Sequence, residues 1–254
     1  MNLPLILMSF GVGILIGLTS MGGAALMAPF LILIVGVRPV TAVGTDLVYG
    51  AVTKIVGSWV HLKQGTVDLP LVRKLAIGSI PGGLLGTLMV VILPRYAHDA
   101  QHVEQRAIGF LLVVVAIILL VRLVLGPPES TPSARRMEFL RGPGTIIWGA
   151  IVGFCVGLTS VGSGSLLAPF LMMLYPSRAS KIVGTDVCHA AILVAVTGLA
   201  HATAGGVEWS LVPVLLLGSI PGVVVGSRLA VFVPFRPLRT GLAAILLLTG
   251  FHML

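Results

Sequence analysis

The sequence predicts an all-α integral membrane protein built from two inverted-topology repeats, and three observations predict it. Apolar stretches long enough to cross a bilayer recur along the chain. The second half copies the first at a fixed offset of 140 residues. The basic residues gather on one face only if the two copies are inverted.

Of the 254 residues, 57% are hydrophobic and 9% are charged, where ordinary soluble domains carry about a quarter of charged residues. The mean hydropathy of +1.10 makes lipid the solvent for which the surface is built. Leu3 to Val35, Leu69 to Leu93, Ala107 to Leu125, Thr145 to Leu174, Leu211 to Val233 and Leu238 to Leu254 are apolar. Most reach the about 20 residues that a crossing helix needs. A formal net charge of +8 does not point to nucleic acid, because Lys and Arg are scattered among loops and helix ends without basic helices or aromatic platforms. Cys155 and Cys188 lie inside apolar segments, with no Cys-x-x-Cys spacing, so neither a disulfide nor a metal site is expected, and no cofactor. The start, Met1-Asn2-Leu3-Pro4, has no basic run and no small-residue cleavage site, and reads as a mature membrane segment.

The copy needs no gaps from Gly13 to Pro94. Gly17-Leu18-Thr19-Ser20 recurs at 157–160, Ala28-Pro29-Phe30-Leu31 at 168–171 and Val43-Gly44-Thr45-Asp46 at 183–186. His61 matches His201, and Gly78-Ser79-Ile80-Pro81-Gly82 matches 218–222. Polar letters kept at one spacing mean duplication, hence two similar bundles whose interface is the favoured place for a ligand. The repeats span residues 1–125 and 144–254, joined by a polar linker, 126–143, with Gly126-Pro127-Pro128 and Arg135, Arg136 and Arg141.

Each half begins with an interrupted apolar stretch, followed by helices near 40–62 and 69–93, or 180–202 and 209–233, and a closing helix. The interrupted stretch either crosses once or folds back as a re-entrant hairpin. A single crossing gives parallel repeats and divides the basic residues evenly. A hairpin inverts the second repeat and gathers Lys63, Arg73, Lys74, Arg122, Arg135, Arg136, Arg141, Arg178, Lys181, Arg236 and Arg239 on one face, against Arg38, Arg95 and Arg106. The positive-inside rule favours that eleven-to-three split. Each half is then a hairpin plus three transmembrane helices, about 8–10 membrane segments in all, with the linker cytoplasmic and both termini outside.

The breaks carry the chemistry. Thr19-Ser20-Met21-Gly22-Gly23 and Thr159-Ser160-Val161-Gly162-Ser163-Gly164-Ser165 interrupt apolar helices with hydroxyls and glycines. Bare backbone at membrane depth is tolerated where protein or a water-filled cavity satisfies it. A helix starting after the glycines offers unpaired N–H groups and its positive dipole end to an anion, whereas the plainer reading is tight helix packing. The next helix aligns Asp46, Gly50, Lys54, Gly57 and His61 on one face. Lys54 lies too deep for easy snorkelling and is expected to bind substrate or to pair with Asp46 or Asp186. The second copy has Val194 in its place. Thr45, Thr185 and His189, which replaces Tyr49, complete the expected lining. His61 and His201, beside Gly65 and Gly205, are equally suited to proton transfer and to polar packing, and Asp46 and Asp186 are further proton-coupling candidates. Gly78, Gly82 and Gly86, with Gly218, Gly222 and Gly226, read as close-packing faces.

The duplicated Gly-x-x-x-Gly-Leu-x-Ser-x-Gly-Gly…Pro-Phe-Leu block followed by Val-Gly-Thr resembles the TauE/SafE family of sulfite exporters, also called the 4-toluene sulfonate uptake permease family, over nearly the whole chain. Asp46, Lys54 and His61 resemble the pattern of one subgroup. The resemblance implies a secondary transporter for small sulfur-containing anions such as sulfite, sulfoacetate or other organosulfonates in a bacterial inner membrane. Such a transporter is expected to work by alternating access, with the anion held between the two breaks and a proton coupled through an aspartate or histidine. The alternative is an anion channel, which flux measurements would separate from a carrier. No enzyme is expected: His-Glu-x-x-His, Gly-x-Ser-x-Gly and Walker A patterns are absent. The expected partners are the anion and the bilayer, with a homo-oligomer left open.

Overall fold

The computed structural model describes residues 2–20, 22–92, 142–164, 166–174 and 177–230, with scattered positions between 106 and 121, at 138 and 232, and between 244 and 252. The 126–143 linker and the closing helix of each half fall largely outside these residues. The described residues are helical, without strands. In the first half lie α1 (Asn2–Thr19), α2 (Gly22–Leu33), α3 (Pro39–Lys63) and α4 (Leu69–Ile92); in the second, α5 (Pro143–Thr159), α6 (Leu167–Leu174), α7 (Ala179–Thr203) and α8 (Leu211–Leu229).

Local chemistry sets the ends. Pro39 and Pro143 open α3 and α5, where a missing N–H costs nothing. After α3 and α7 the chain turns through Gly65 (φ 66°) and Gly205 (φ 77°), a left-handed step that glycine takes without a Cβ clash. Thr66 N–H then bonds back to His61 O at 3.1 Å, and Gly206 N–H to His201 O at 3.0 Å.

Leu7, Met8 and Gly11 of α1 share one apolar groove of about 470 Å³ with Phe30 and Leu33 of α2 and with Ile34. An uninterrupted helix would hold Leu7 and Ile34 about 40 Å apart, so the chain folds back at the first break. The halves interleave: α1 packs on α8, α4 on α5, and α3 crosses α7. A Cβ on Gly218, Gly222 or Gly226 would strike the carbonyl of Ile6, Phe10 or Ile14, and one on Gly78, Gly82 or Gly86 that of Ile146, Ala150 or Phe154. These ascending registers make both contacts parallel, and glycine at every fourth residue brings the backbones together. By contrast, Gly44 meets Gly206 and His201, Gly198 meets Leu47 and Val48, and Gly57 meets Val187. The crossing of α3 and α7 is therefore antiparallel.

Polarity is arranged for lipid. Leu3, Ile34, Ile55, Ile77, Leu85, Leu199 and Leu217 face outward, while Asp46, Lys54, Asp186, His61, His189 and His201 are buried. Three described helices, Leu69–Val91, Ala179–Thr203 and Leu211–Leu229, are long and apolar enough to cross a membrane. At the end of α3 the Lys63 ammonium sits 3.7 Å over the Trp59 ring, a cation–π contact suited to an interfacial position.

Candidate functional site

Both breaks are built around a serine in a left-handed conformation, Ser20 (φ 61°) and Ser160 (φ 60°). Holding a non-glycine residue there costs on the order of 1–3 kcal/mol and persists only where surroundings enforce it. Each serine caps the preceding helix, Ser20 N–H bonding to Ile16 O at 2.8 Å and Ser160 N–H to Val156 O at 2.7 Å. The neighbouring threonines turn inward on their own helices: Thr19 donates to Leu15 O at 2.7 Å and Thr159 to Cys155 O at 2.9 Å. Gly22 and Gly23 open α2. In the second break Gly162 (φ 140°) and Gly164 (φ 68°) make the turn that leads into α6. Ser165 lies outside the described residues.

Helix α3 reaches across to the second break. The Ser160 hydroxyl donates to Asp46 Oδ2 at 2.6 Å, and Lys54 Nζ donates to Ser163 Oγ at 2.7 Å. Asp46 and Lys54 are eight residues apart, about 12 Å along one helical face, so together they clasp the break at two points. Ser160 turns its hydroxyl onto Asp46 from the strained conformation. On α7, the copy of α3, Asp186 is likewise buried. His189, one turn further along α7, is buried too, and its Nε2 lies 2.7 Å from the Ser79 hydroxyl of α4. Asp46, Lys54, Asp186 and His189 are each no more than 3% exposed, which closes the cluster off from the outside. Ser20 Oγ is buried without a hydrogen-bond partner among the described residues.

Other expected site residues carry structural bonds. Thr45 donates to Thr41 O at 2.6 Å and accepts the Glu208 N–H at 2.8 Å. Thr185 donates to Lys181 O at 2.7 Å and accepts the Asp68 N–H at 2.9 Å. In each copy of Val-Gly-Thr, the glycine lets the loop of the opposite half approach and the threonine latches it. The histidines stitch within their own halves, His61 Nε2 lying 3.3 Å from Gly17 O and His201 Nε2 3.1 Å from Gly157 O. These carbonyls belong to the last turns of α1 and α5, so the rings hold the approach to each break.

Ser79 and its copy Ser219 were not singled out by the sequence. Ser219 lies 2.7 Å from the Thr53 hydroxyl. The signal was present: a serine is the only polar side chain kept in both Gly-Ser-Ile-Pro-Gly copies, and a hydroxyl on a close-packing glycine face can bond across it.

The Sulfite exporter TauE/SafE family matches residues 5–253 of the chain. Similar proteins include the probable membrane transporter protein YjnA of Bacillus subtilis (strain 168), 43% identical over 256 residues and 100% of both chains. The probable membrane transporter protein YdhB of the same organism is 25% identical over 239 residues, 94% of each chain. No solved structure matches. With its duplicated breaks, apolar exterior and family match over nearly its full length, the chain belongs to the sulfite exporter TauE/SafE family and is a membrane transporter of that type.

Proposed function

We propose that the chain is a secondary transporter of small sulfur-containing anions, sulfite, sulfoacetate or another organosulfonate, in a bacterial inner membrane. The anion sits at Lys54, between Ser20 with Gly22 and Gly23 on one side and Ser160 with Ser163 and Gly164 on the other. The observation that carries this reading is Lys54 Nζ reaching from α3 to Ser163 Oγ, 2.7 Å away in the opposite break. A buried ammonium beside hydroxyls and helix starts is the chemistry that binds an oxyanion. Sulfite comes from the family description, and sulfoacetate and other organosulfonates from the resemblance given above. The near-complete burial of Lys54 favours a carrier with an occluded state over an open channel.

Alternating access comes from inverted halves moving about this cluster. The antiparallel register of α3 with its copy α7, and the fold-back of α1 onto α2, support the inversion. So does Lys181, whose Nζ lies 3.8 Å from Asp68 Oδ2, a pairing of the loop after α3 with the start of α7 that suits the hairpin topology. That face is cytoplasmic by its positive charge, with the 126–143 linker on it and both termini outside. Transport is coupled to a proton held by Asp46 or Asp186.

Uptake into proteoliposomes of sulfite, sulfoacetate, taurine and sulfate, with and without an imposed pH gradient, tests the function. Saturable uptake of at least one sulfur anion, lost in Lys54→Ala, is expected. Unaltered uptake in Lys54→Ala would remove the site, and linear, unsaturable flux would favour the channel.

A further inference from the structure

The two breaks are copies in sequence but are held differently. The second is tied to α3 at two points, Ser160 donating to Asp46 Oδ2 and Lys54 Nζ donating to Ser163 Oγ. In the first, Gly23 stands at the copy of Ser163, and Val194 at the copy of Lys54, so the bond from a buried ammonium has no counterpart. The Ser20 hydroxyl, the copy of that of Ser160, is buried without a partner among the described residues.

The apolar seams behind the breaks differ in the same direction. Between α5 and α6 the rings of Trp148 and Phe170 stack with centroids 5.1 Å apart, against the core that holds Leu167 and Leu171 of α6. In the first half Met8 and Phe30 stand at these two positions, and Gly11 at that of Ile151. The smaller side chains leave the groove of about 470 Å³ between α1 and α2, which Met8, Gly11 and Phe30 line. A Cβ on Gly11 would meet nothing within 4 Å. Leu7 and Ile34, at the same groove, face outward, so it opens towards lipid. Fluid acyl chains yield to a moving helix, whereas a close-packed ring pair resists deformation.

Helix α1 is itself fixed, because a Cβ on Gly13 would strike the backbone of Ser219 in α8, and one on Gly17 that of Val223 and Ser227. The freedom therefore belongs to α2. Its inner face, Met27, Ala28 and Leu31, is fully buried, with Met27 and Leu31 in one core with Ala42 and Tyr49 of α3. The motion left to it is a tilt that widens or narrows the groove. Ser20, left-handed at φ 61°, and the Gly22-Gly23 pair at the start of α2 form the hinge. We propose that α2 is the moving arm of the transport cycle, tilting against α1, while its copy α6 is a fixed wall held by Asp46, Lys54 and the Trp148–Phe170 stack. This deepens the alternating-access reading and rests on the Lys54 cluster being the anion site. The wall keeps Ser163 on Lys54, and the arm opens and closes the other side.

The test gives the first half the packing of the second. Met8→Trp sets an indole against Phe30, and Gly11→Ile fills the groove more mildly. Each full-length variant should elute as wild type, melt no lower and bind sulfite or sulfoacetate, whichever the wild type carries, with unchanged affinity. Uptake into liposomes should be at least about tenfold slower in Met8→Trp, because a gating step has been blocked. Trp148→Leu, which loosens α6, should stay within about twofold of wild type. Motion is read without substrate by dipolar electron paramagnetic resonance, with spin labels at Leu7→Cys and Ile34→Cys, or at the copies Ile147→Cys and Leu174→Cys, after Cys155 and Cys188 are replaced by alanine. The first pair should give a broad distance distribution that narrows with Met8→Trp or Gly11→Ile, and the second pair a narrow one. Equal widths for the two pairs, or wild-type uptake by folded Met8→Trp, would overturn the moving arm while leaving anion transport standing. If the wild type carries no sulfur anion, the proposed function falls, and the widths still decide whether α2 moves and α6 does not.

Discussion

Lys54 Nζ and Ser163 Oγ, 109 positions apart in the chain, lie 2.7 Å from one another inside the bundle. The contact joins the two respects in which the halves differ most at the site, since Val194 stands at the copy of Lys54 and Gly23 at the copy of Ser163. A cation on one half meets a hydroxyl that only the other half carries. Replacing Ser163 by alanine leaves the ammonium without this acceptor. A buried hydrogen bond to a charged group is worth about 1.5–3 kcal/mol, so Ser163→Ala should unfold at a lower temperature in detergent, and Ser163→Thr should recover most of the loss. Equal melting of wild type and Ser163→Ala would deny the contact its energetic weight.

Ser160 separates strain from chemistry. Glycine takes φ 60° freely and alanine does not, while both remove the hydroxyl that Asp46 accepts. Ser160→Gly should therefore melt above Ser160→Ala by on the order of 1 kcal/mol, and both should lose transport to a similar degree. If Ser160→Gly transported like wild type, the hydroxyl would have no part in binding.

For His61 and His201, whose rings hold the last-turn carbonyls of Gly17 and Gly157, the expectation concerns the shape of a pH profile. His61→Gln and His201→Gln keep a donor but cannot take up a proton near neutral pH. Transport should fall by a common factor at every pH. A profile that changes shape in either variant would assign the proton step to a histidine.

Gly82 and Gly222 admit the carbonyls of Ala150 and Phe10. A leucine at either position must push two helices apart along a shared crossing, with overpacking costs of about 1–3 kcal/mol or more. Gly82→Leu and Gly222→Leu should each abolish the monodisperse peak in gel filtration, whereas Gly50→Ala, with open space at its Cβ, should leave it intact.

The sequence made the membrane class and the duplication legible because both are written in patterns that survive without three-dimensional information: long apolar runs, and polar letters kept at one offset. The glycine faces at Gly78 and Gly218 were legible for the same reason. The partner of each face was not, since nothing local tells α1 to pack on α8 in place of its own α4. Thr45 and Thr185 were expected in the site lining. That their hydroxyls also latch the loops at Glu208 and Asp68 was not legible, because the contact depends on the antiparallel crossing of α3 and α7. Lys54 stood out from its depth alone, but its reach to the second break required the fold.

Equilibrium binding to the purified protein in detergent tests the central claim, that Lys54 supplies the charge of an anion site, most directly. A sulfur anion carried by the wild type should bind saturably to it and at least about tenfold more weakly to Lys54→Met, the loss expected for a buried charge-assisted contact, with both proteins eluting as the same folded species. Equal affinity in the two folded proteins would contradict the account.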